Sequence, residues 1–143
     1  MKRLTLTQLK NICLSIRESI ELNKSKTNLF KEFPQGCCRD ASLIVGIILK
    51  KMGAIELVYC RRDFDLHYKS HAWLEYNSFI IDITADQFDT TIPNVIVSRT
   101  PIMPFHQKQH EEPLTFSIAG MDAIDLLKDM EIIEGALSPK FSS

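Results

Sequence analysis

Apolar positions along the chain change their spacing near residue 53. Before that point they recur at steps of three and four, and between about residues 55 and 98 many alternate with polar residues. The first spacing is that of one helix face, and the second is that of a strand with one buried face. The chain therefore predicts helices followed by an antiparallel sheet, which is an α+β fold.

Two helices are predicted ahead of the sheet. The first begins at a capping box formed by Thr5 and Gln8 and runs to about Leu22. The second begins after the turn-forming segment 34–36 and ends near residue 52. Apolar residues cover most of its circumference, so we expect it to be central and buried. These residues are Ala41, Leu43, Ile44, Val45, Ile47, Ile48 and Leu49.

Four strands and a third helix are predicted in the rest of the chain. Three prolines between residues 99 and 116 predict a long segment without regular structure. The last helix covers about 118–133. The strands cover about 55–60, 70–76, 79–84 and 94–98, and the charged segment 61–69 is predicted as the tip of a hairpin.

Composition bounds the class of protein. A domain of 143 residues buries roughly 68–70% of the surface of its unfolded chain, so we expect one domain, 1–143. A formal net charge of -1 predicts no basic surface for nucleic acid or anionic membrane. Neither a signal peptide nor an apolar run of about 18 residues is recognisable. We therefore expect a cytoplasmic protein that binds neither nucleic acid nor membrane.

Two adjacent cysteines, Cys37 and Cys38, stand between a Pro-Gln-Gly turn and the second helix. They could be buried apolar residues, half of a metal site, a disulfide, or a nucleophile at a helix start. A reducing compartment makes a disulfide unexpected. We predict that Cys13, Cys37 and Cys60 are core residues. Cys38 is the candidate nucleophile, because the unpaired N–H groups and the dipole at a helix start favour a thiolate.

The stretch SHAWLEYNSFIIDIT predicts a hairpin with Asn77-Ser78 as its two-residue turn. In that register His71 and Asp82 are diagonal neighbours on one face, about 7–8 Å apart at the backbone, which their side chains can close. A carboxylate among isoleucines needs a partner, and orienting an imidazole would supply one. A three-residue turn would separate the pair. The register places Ala72, Leu74, Tyr76, Phe79, Ile81 and Ile83 on one face and His71, Trp73, Glu75, Ile80, Asp82 and Thr84 on the other.

A zinc site built from Cys37, Cys38 and Cys60 with His67 or His71 is the metal alternative. The chain has no Cys-x2-Cys pair, the spacing that structural zinc sites commonly use. We therefore expect no metal.

GCCRDAS, SHAW and IIDIT together resemble the transglutaminase-like branch of the papain-type cysteine enzymes, over roughly residues 34 to 88. The resemblance implies a papain- or transglutaminase-like core, with a buried helix that carries the nucleophile and packs on an antiparallel sheet. It also implies that Cys38 is the nucleophile, His71 the general base and Asp82 the orienting acid, with no cofactor.

The expected function is a thiol hydrolase or acyltransferase that acts on peptide or amide bonds of a protein or peptide substrate. A glutamine deamidase or transglutaminase-like acyl transfer is the nearest variant. A catalytically inactive protein-binding module of the same fold is the alternative of another class.

Five other residues receive secondary predictions. Gln35 is a candidate oxyanion donor, and Gln87 could donate a hydrogen bond into the site. Trp73 is expected to form a wall of the site or part of the core. His106 and His110 are predicted to lie on the surface of a loop.

Overall fold

A computed structural model describes residues 3–63, 70–115 and 123–137 of the chain. These ranges contain three α-helices, α1 (Leu6–Asn23), α2 (Cys38–Lys51) and α3 (Ala123–Gly135). They also contain five strands, β1 (Val58–Asp63), β2 (Ser70–Tyr76), β3 (Phe79–Asp82), β4 (Ile96–Ser98) and β5 (His110–Pro113). The strands form one antiparallel sheet in the order β4-β3-β2-β1-β5. The α+β class is therefore confirmed.

Helix α1 begins at the predicted capping box. The Thr5 hydroxyl accepts the N–H of Gln8 at 3.2 Å, and the Gln8 side chain accepts the N–H of Thr5 at 2.8 Å. These two bonds satisfy donors that would otherwise lack partners at the helix start. The helix buries the apolar face Leu9, Ile12, Cys13, Ile16 and Ile20.

Helix α2 is the central helix, as its apolar circumference predicts. It packs on β2, and it contributes Ala41, Leu43, Ile44, Val45, Ile48 and Leu49 to the main core. None of the described helices is both long enough and apolar enough to cross a membrane.

The β2–β3 hairpin has the predicted register. Leu74 pairs with Ile81 and Tyr76 with Phe79, and Asn77 and Ser78 both adopt positive φ, at 49° and 67°. Such a two-residue turn matches the twist of the strands it joins. The predicted apolar face lies in the main core, while Trp73 and Ile80 pack with Cys60 on the opposite side of the sheet.

Several predicted boundaries are wrong. The first strand runs from 58 to 63, so residues 61–63 belong to the strand; residues 64–69 of the predicted tip lie outside the described ranges. The segment 99–116 contains a 3-10 turn, Pro104–His106, and strand β5. Pro113 is compatible with β5 because this strand pairs with β1 alone at the sheet edge. Residues 118–122 of the predicted last helix also lie outside the described ranges, and its end is at Gly135.

Arg17 of α1 is a buried cation that holds the segment following β3. Its guanidinium donates to both carboxylate oxygens of Asp86, at 2.6 and 2.8 Å, and to the Ile83 carbonyl at 2.7 Å. It also lies over the Phe33 ring, 4.6 Å from the centroid. One side chain therefore joins α1 to the segment after β3 and to the loop that precedes α2.

Candidate active site

The chain turns sharply into α2. Gly36 adopts φ of +66°, a conformation that favours glycine. Cys37 is the N-cap and Cys38 is the first helical residue. The Ala41 amide donates to the Cys37 carbonyl at 2.8 Å and is the first amide bonded within the helix. The N–H groups of residues 38–40 therefore have no acceptor within the helix and give its start a partial positive charge.

The two adjacent cysteines have different environments. Cys37 is buried, and its thiol lies against the carbonyls of Gln35 and Leu29, at 3.2 and 3.5 Å. Burial, with the nearby acid Asp40, raises the pKa of Cys37 to about 11, so this thiol stays protonated. Cys38 is partly exposed and lines a surface cavity. The structure therefore brings Cys38, and not Cys37, to a position that a substrate can reach.

His71 and Asp82 are in contact, as the hairpin register predicts. The Nε2 atom of His71 lies 2.6 Å from Oδ2 of Asp82, and both side chains are buried. The other carboxylate oxygen accepts the N–H of Thr84 at 2.9 Å. Because Nε2 is bound to Asp82, Nδ1 is the imidazole atom that remains for Cys38.

The electrostatics of the pair favour an imidazolium. Burial opposes the charged form of His71, but hydrogen bonds to Asp82 and Cys38 and the charges of both outweigh it and raise the pKa of His71 to about 9. Burial likewise opposes the Asp82 carboxylate, yet hydrogen bonds from His106 and His71 hold its pKa far below its usual range. Asp82 is therefore an anion at every physiological pH.

The prediction that His106 lies on the surface is wrong. His106 is buried at the end of the 3-10 turn, and its Nε2 lies 2.7 Å from Oδ2 of Asp82. One carboxylate oxygen thus contacts two imidazoles. The Nδ1 atom of His106 is buried and has no hydrogen-bond partner in the described parts of the chain. His110 is exposed, as predicted.

Aromatic rings enclose His71. Trp73 stacks on it with 5.9 Å between centroids, while Phe88 and Phe105 present their edges at 5.0 and 4.9 Å. Trp73 is fully buried, so it supports the imidazole from behind as a wall of the site. Such a cage fixes the ring plane and keeps water from the His71–Asp82 contact.

Gln35 and Gln87 join the start of α2 to the imidazole. Gln35 donates from its side-chain amide to the Gln87 carbonyl at 2.9 Å, so this amide is already engaged. The Gln87 side chain accepts the Gly36 N–H at 3.2 Å, which turns its NH2 toward Nδ1 of His71 at 3.4 Å. Gln87 therefore fixes the position of the thiol-bearing turn relative to His71.

Among the described residues, two groups of side chains have the composition of metal ligands, but their contacts in the structure are hydrogen bonds and ion pairs. Among His71, Asp82 and His106 the contacts of 2.6 and 2.7 Å are hydrogen-bond distances, whereas tetrahedral zinc with bonds of about 2.0–2.1 Å separates its ligands by about 3.3 Å. The second group, Cys60, Glu75 and Glu111, already holds the Lys108 ammonium, 2.9 and 2.8 Å from the two carboxylates.

The zinc site considered from the sequence is not assembled by the described residues. The thiol of Cys37 contacts the Gln35 carbonyl in the loop before α2. Cys60 packs against Trp73 on the side of the sheet away from the main core. His67 lies outside the described ranges.

A cavity of about 330 Å³ opens beside the Cys38 thiol. Helix α2 contributes two adjacent residues, and the sheet contributes the others. The lining residues are Cys38, Arg39, Tyr59, Arg61, Ser70, Ala72 and Glu112. A substrate that reaches Cys38 therefore meets a largely polar wall made by β1, β2 and β5.

Comparison with known proteins finds no matching family model, no significantly similar curated protein and no significantly similar solved structure.

Proposed function

We propose that the protein is a thiol hydrolase or acyltransferase that acts on peptide or amide bonds through Cys38, His71 and Asp82. The observation that carries the proposal is the contact of His71 with Asp82 at 2.6 Å, on an imidazole whose pKa the partly exposed Cys38 also helps to raise. A nucleophile beside a base that a third group orients is the arrangement used in covalent catalysis by thiols.

A papain- or transglutaminase-like core is part of this proposal. It is supported by α2, which begins at Cys38 and packs on the antiparallel strand that carries His71. Strand β3, which ends at Asp82, lies next to β2 in the sheet. A cytoplasmic location is proposed as well, because all four cysteines are free, as expected in a reducing compartment.

The proposed reaction begins when Nδ1 of His71 takes the proton of the Cys38 thiol. The thiolate attacks the carbonyl carbon of the substrate, and a bond forms between Sγ and that carbon. The C–N bond then breaks, and the leaving amine takes the proton from His71. Water or a second amine attacks the thioester, loses its proton to His71, and releases the product as the proton returns to Sγ. Water as acceptor gives hydrolysis or deamidation, and an amine gives acyl transfer.

The oxyanion of each tetrahedral intermediate needs hydrogen-bond donors. The Cys38 N–H at the start of α2 is one, since residues 38–40 have no acceptor within the helix. We assign the second to the Tyr59 hydroxyl, which lines the same cavity as Cys38 and is bound by none of the described residues. Burial, with the charge of Cys38, raises the pKa of Tyr59 to about 12, so the hydroxyl remains a neutral donor. The side-chain amide of Gln35, the oxyanion donor predicted from the sequence, donates instead to the Gln87 carbonyl.

His106 enters the proposal as a positioning residue. Its N–H is donated to the oxygen of Asp82 that also binds His71, 2.7 Å away. This donation does two things. It holds the carboxylate in place, and it withdraws charge from the oxygen that binds His71, which lets the imidazolium release its proton to the leaving amine.

Replacement of His106 by Leu is expected to make His71 a weaker acid. The alkaline limb of the kcat/KM profile should move upward by roughly one pH unit, about the effect of one hydrogen bond to a charged group. His106→Gln retains an N–H donor and should restore most of the original profile. Urea unfolding of both variants separates loss of fold from the effect on pH. A limb that stays in place in a folded His106→Leu protein would leave His106 with a packing role only.

Limited alkylation tests the proposed function. At neutral pH iodoacetamide should modify Cys38 first, because only the thiolate reacts and His71 stabilises it. Cys37 should react slowly, and Cys13 and Cys60 should stay unmodified, since burial raises the pKa of both to about 12. Peptide mass mapping over time gives the four rates. Faster labelling of Cys37 would overturn the assignment, and four equally slow thiols would favour a binding module without catalysis.

A further inference from the structure

The cavity beside Cys38 contains more positive than negative charge. Of its charged lining residues, Arg39 and Arg61 are cations and Glu112 is an anion. We propose that the substrate carries a carboxylate close to the bond that Cys38 attacks, and that Arg39 and Arg61 bind it. This inference rests on the proposed function and specifies its substrate class.

Arg39 is the first residue that points to an anion. It follows Cys38 in the first turn of α2, where the helix dipole disfavours a positive side chain. It is exposed, and the described residues give it no ion pair. A cation that lowers helix stability and forms no ion pair with the described residues, directly beside the nucleophile, is well placed to bind a ligand.

Arg61 approaches the cavity from the sheet. It lies on β1 opposite Ala72, another residue of the cavity wall. Its Nε forms a long ion pair with Asp63 at 3.4 Å, and no described residue binds its two terminal nitrogens. Those nitrogens can donate two parallel hydrogen bonds to a carboxylate, a bidentate arrangement that lysine cannot provide.

Glu112 weakens the preference of the cavity for a substrate that carries a carboxylate. It lies on β5 opposite Tyr59 and lines the same cavity. Its negative charge repels an anionic substrate at short range. Removal of that charge should therefore strengthen the preference that loss of the arginines abolishes. A general effect of net charge would change the preference in the same two directions, so the two explanations are distinguished by neutralising an arginine that is not part of the cavity lining.

The carboxylate could belong to an acidic side chain or to the end of a peptide. Three matched probes separate these sources: the bromoacetyl derivatives of glutamic acid α-amide, of glutamine amide, and of glutamine with a free α-carboxylate. Each loses bromide to the thiolate of Cys38, and they differ only in the presence and place of one carboxylate. Iodoacetamide serves as the reference for intrinsic thiol reactivity.

For the wild-type protein, at least one carboxylate probe should alkylate Cys38 about ten times faster than the neutral probe, and the faster one identifies the source. The double variant R39Q/R61Q should reduce this ratio to about one, and Glu112→Gln should increase it severalfold. Arg62→Gln is the control, because Arg62 follows Arg61 on β1 but donates to the Gln107 carbonyl at 2.9 Å; it should leave the ratio unchanged.

Three results would contradict the proposals in different ways. Equal rates for all three probes, with rapid labelling of Cys38 by iodoacetamide, would overturn the substrate class and leave the proposed function standing. Slow labelling of Cys38 by every reagent would refute the proposed function itself. A preference for carboxylate that persists in R39Q/R61Q would also overturn the assignment of the two arginines.

Discussion

Replacement of Cys38 by Ser is expected to reduce amide or peptide turnover by at least about 10³-fold, whereas Cys37→Ser should retain most of it. A serine hydroxyl at the first position of α2 would have the same neighbours, but a hydroxyl is a far weaker acid than a thiol, so the same imidazole yields a much poorer nucleophile. Cys37 is buried, and its thiol faces the carbonyls of Gln35 and Leu29, so a hydroxyl can replace it with little consequence for the chemistry.

The two serine variants are matched controls for each other, because each removes one sulfur from adjacent positions. Turnover of a peptide or amide substrate library, followed by mass spectrometry, gives the two rates. Thermal unfolding shows whether Cys37→Ser has loosened the turn before α2. Equal and complete loss in both folded variants would mean that the thiols act jointly, and the assignment of Cys38 as sole nucleophile would then be wrong.

The hairpin could be predicted because its two strands carry redundant information. Asn77 and Ser78 both suit a two-residue turn, and the register that this turn sets places Leu74, Tyr76, Phe79 and Ile81 on the same face. The contact between His71 and Asp82 followed from that register. Helix α2 could be predicted for a similar reason, since its apolar circumference and its Gly36 turn are both local in sequence.

His106 could not be predicted from the sequence, because its contact depends on how a distant segment folds back. Pro101 and Pro104 indicated irregular structure, and nothing in the local pattern distinguishes a histidine that is buried from one that is exposed. The available signal was indirect. Asp82 has two carboxylate oxygens, and a buried carboxylate needs more donors than one imidazole supplies. A search for a second donor would have had to consider every distant polar residue.

The cavity cannot be predicted from the sequence either, for another reason. Tyr59 and Arg61 face Cys38 only because β1 pairs with β2 in the register that sets Arg61 opposite Ala72. The predicted strand ended at residue 60, so Arg61 was assigned to the hairpin tip. Sequence periodicity locates strand ends poorly, because charged residues at the edge of a sheet resemble those of a loop.

Asp82→Asn is expected to lower activity by roughly 10³- to 10⁴-fold with the fold retained, because an amide cannot hold the imidazole in the required tautomer and stabilise its charge. The alkaline limb of the kcat/KM profile should move to lower pH. With Asp82 present, the pKa of His71 is raised to about 9, so the imidazolium persists until pH rises through that value; without the carboxylate it is lost nearer the ordinary value of about 6.5. This displacement is opposite in sign to that expected for His106→Leu.

The combination with His71→Ala tests whether the residues act as one unit. If Asp82 acts only through His71, the double variant should be no slower than His71→Ala alone, and the two losses should be strongly non-additive. The rate of Cys38 alkylation against pH, measured in wild type, both single variants and the double variant, gives the coupling without a known substrate. His71→Ala should slow alkylation near pH 7, since the imidazolium that stabilises the thiolate is gone. Four identical profiles would mean that Cys38 reacts independently of His71 and Asp82, and the site would then have to be interpreted as a binding surface rather than a catalytic centre.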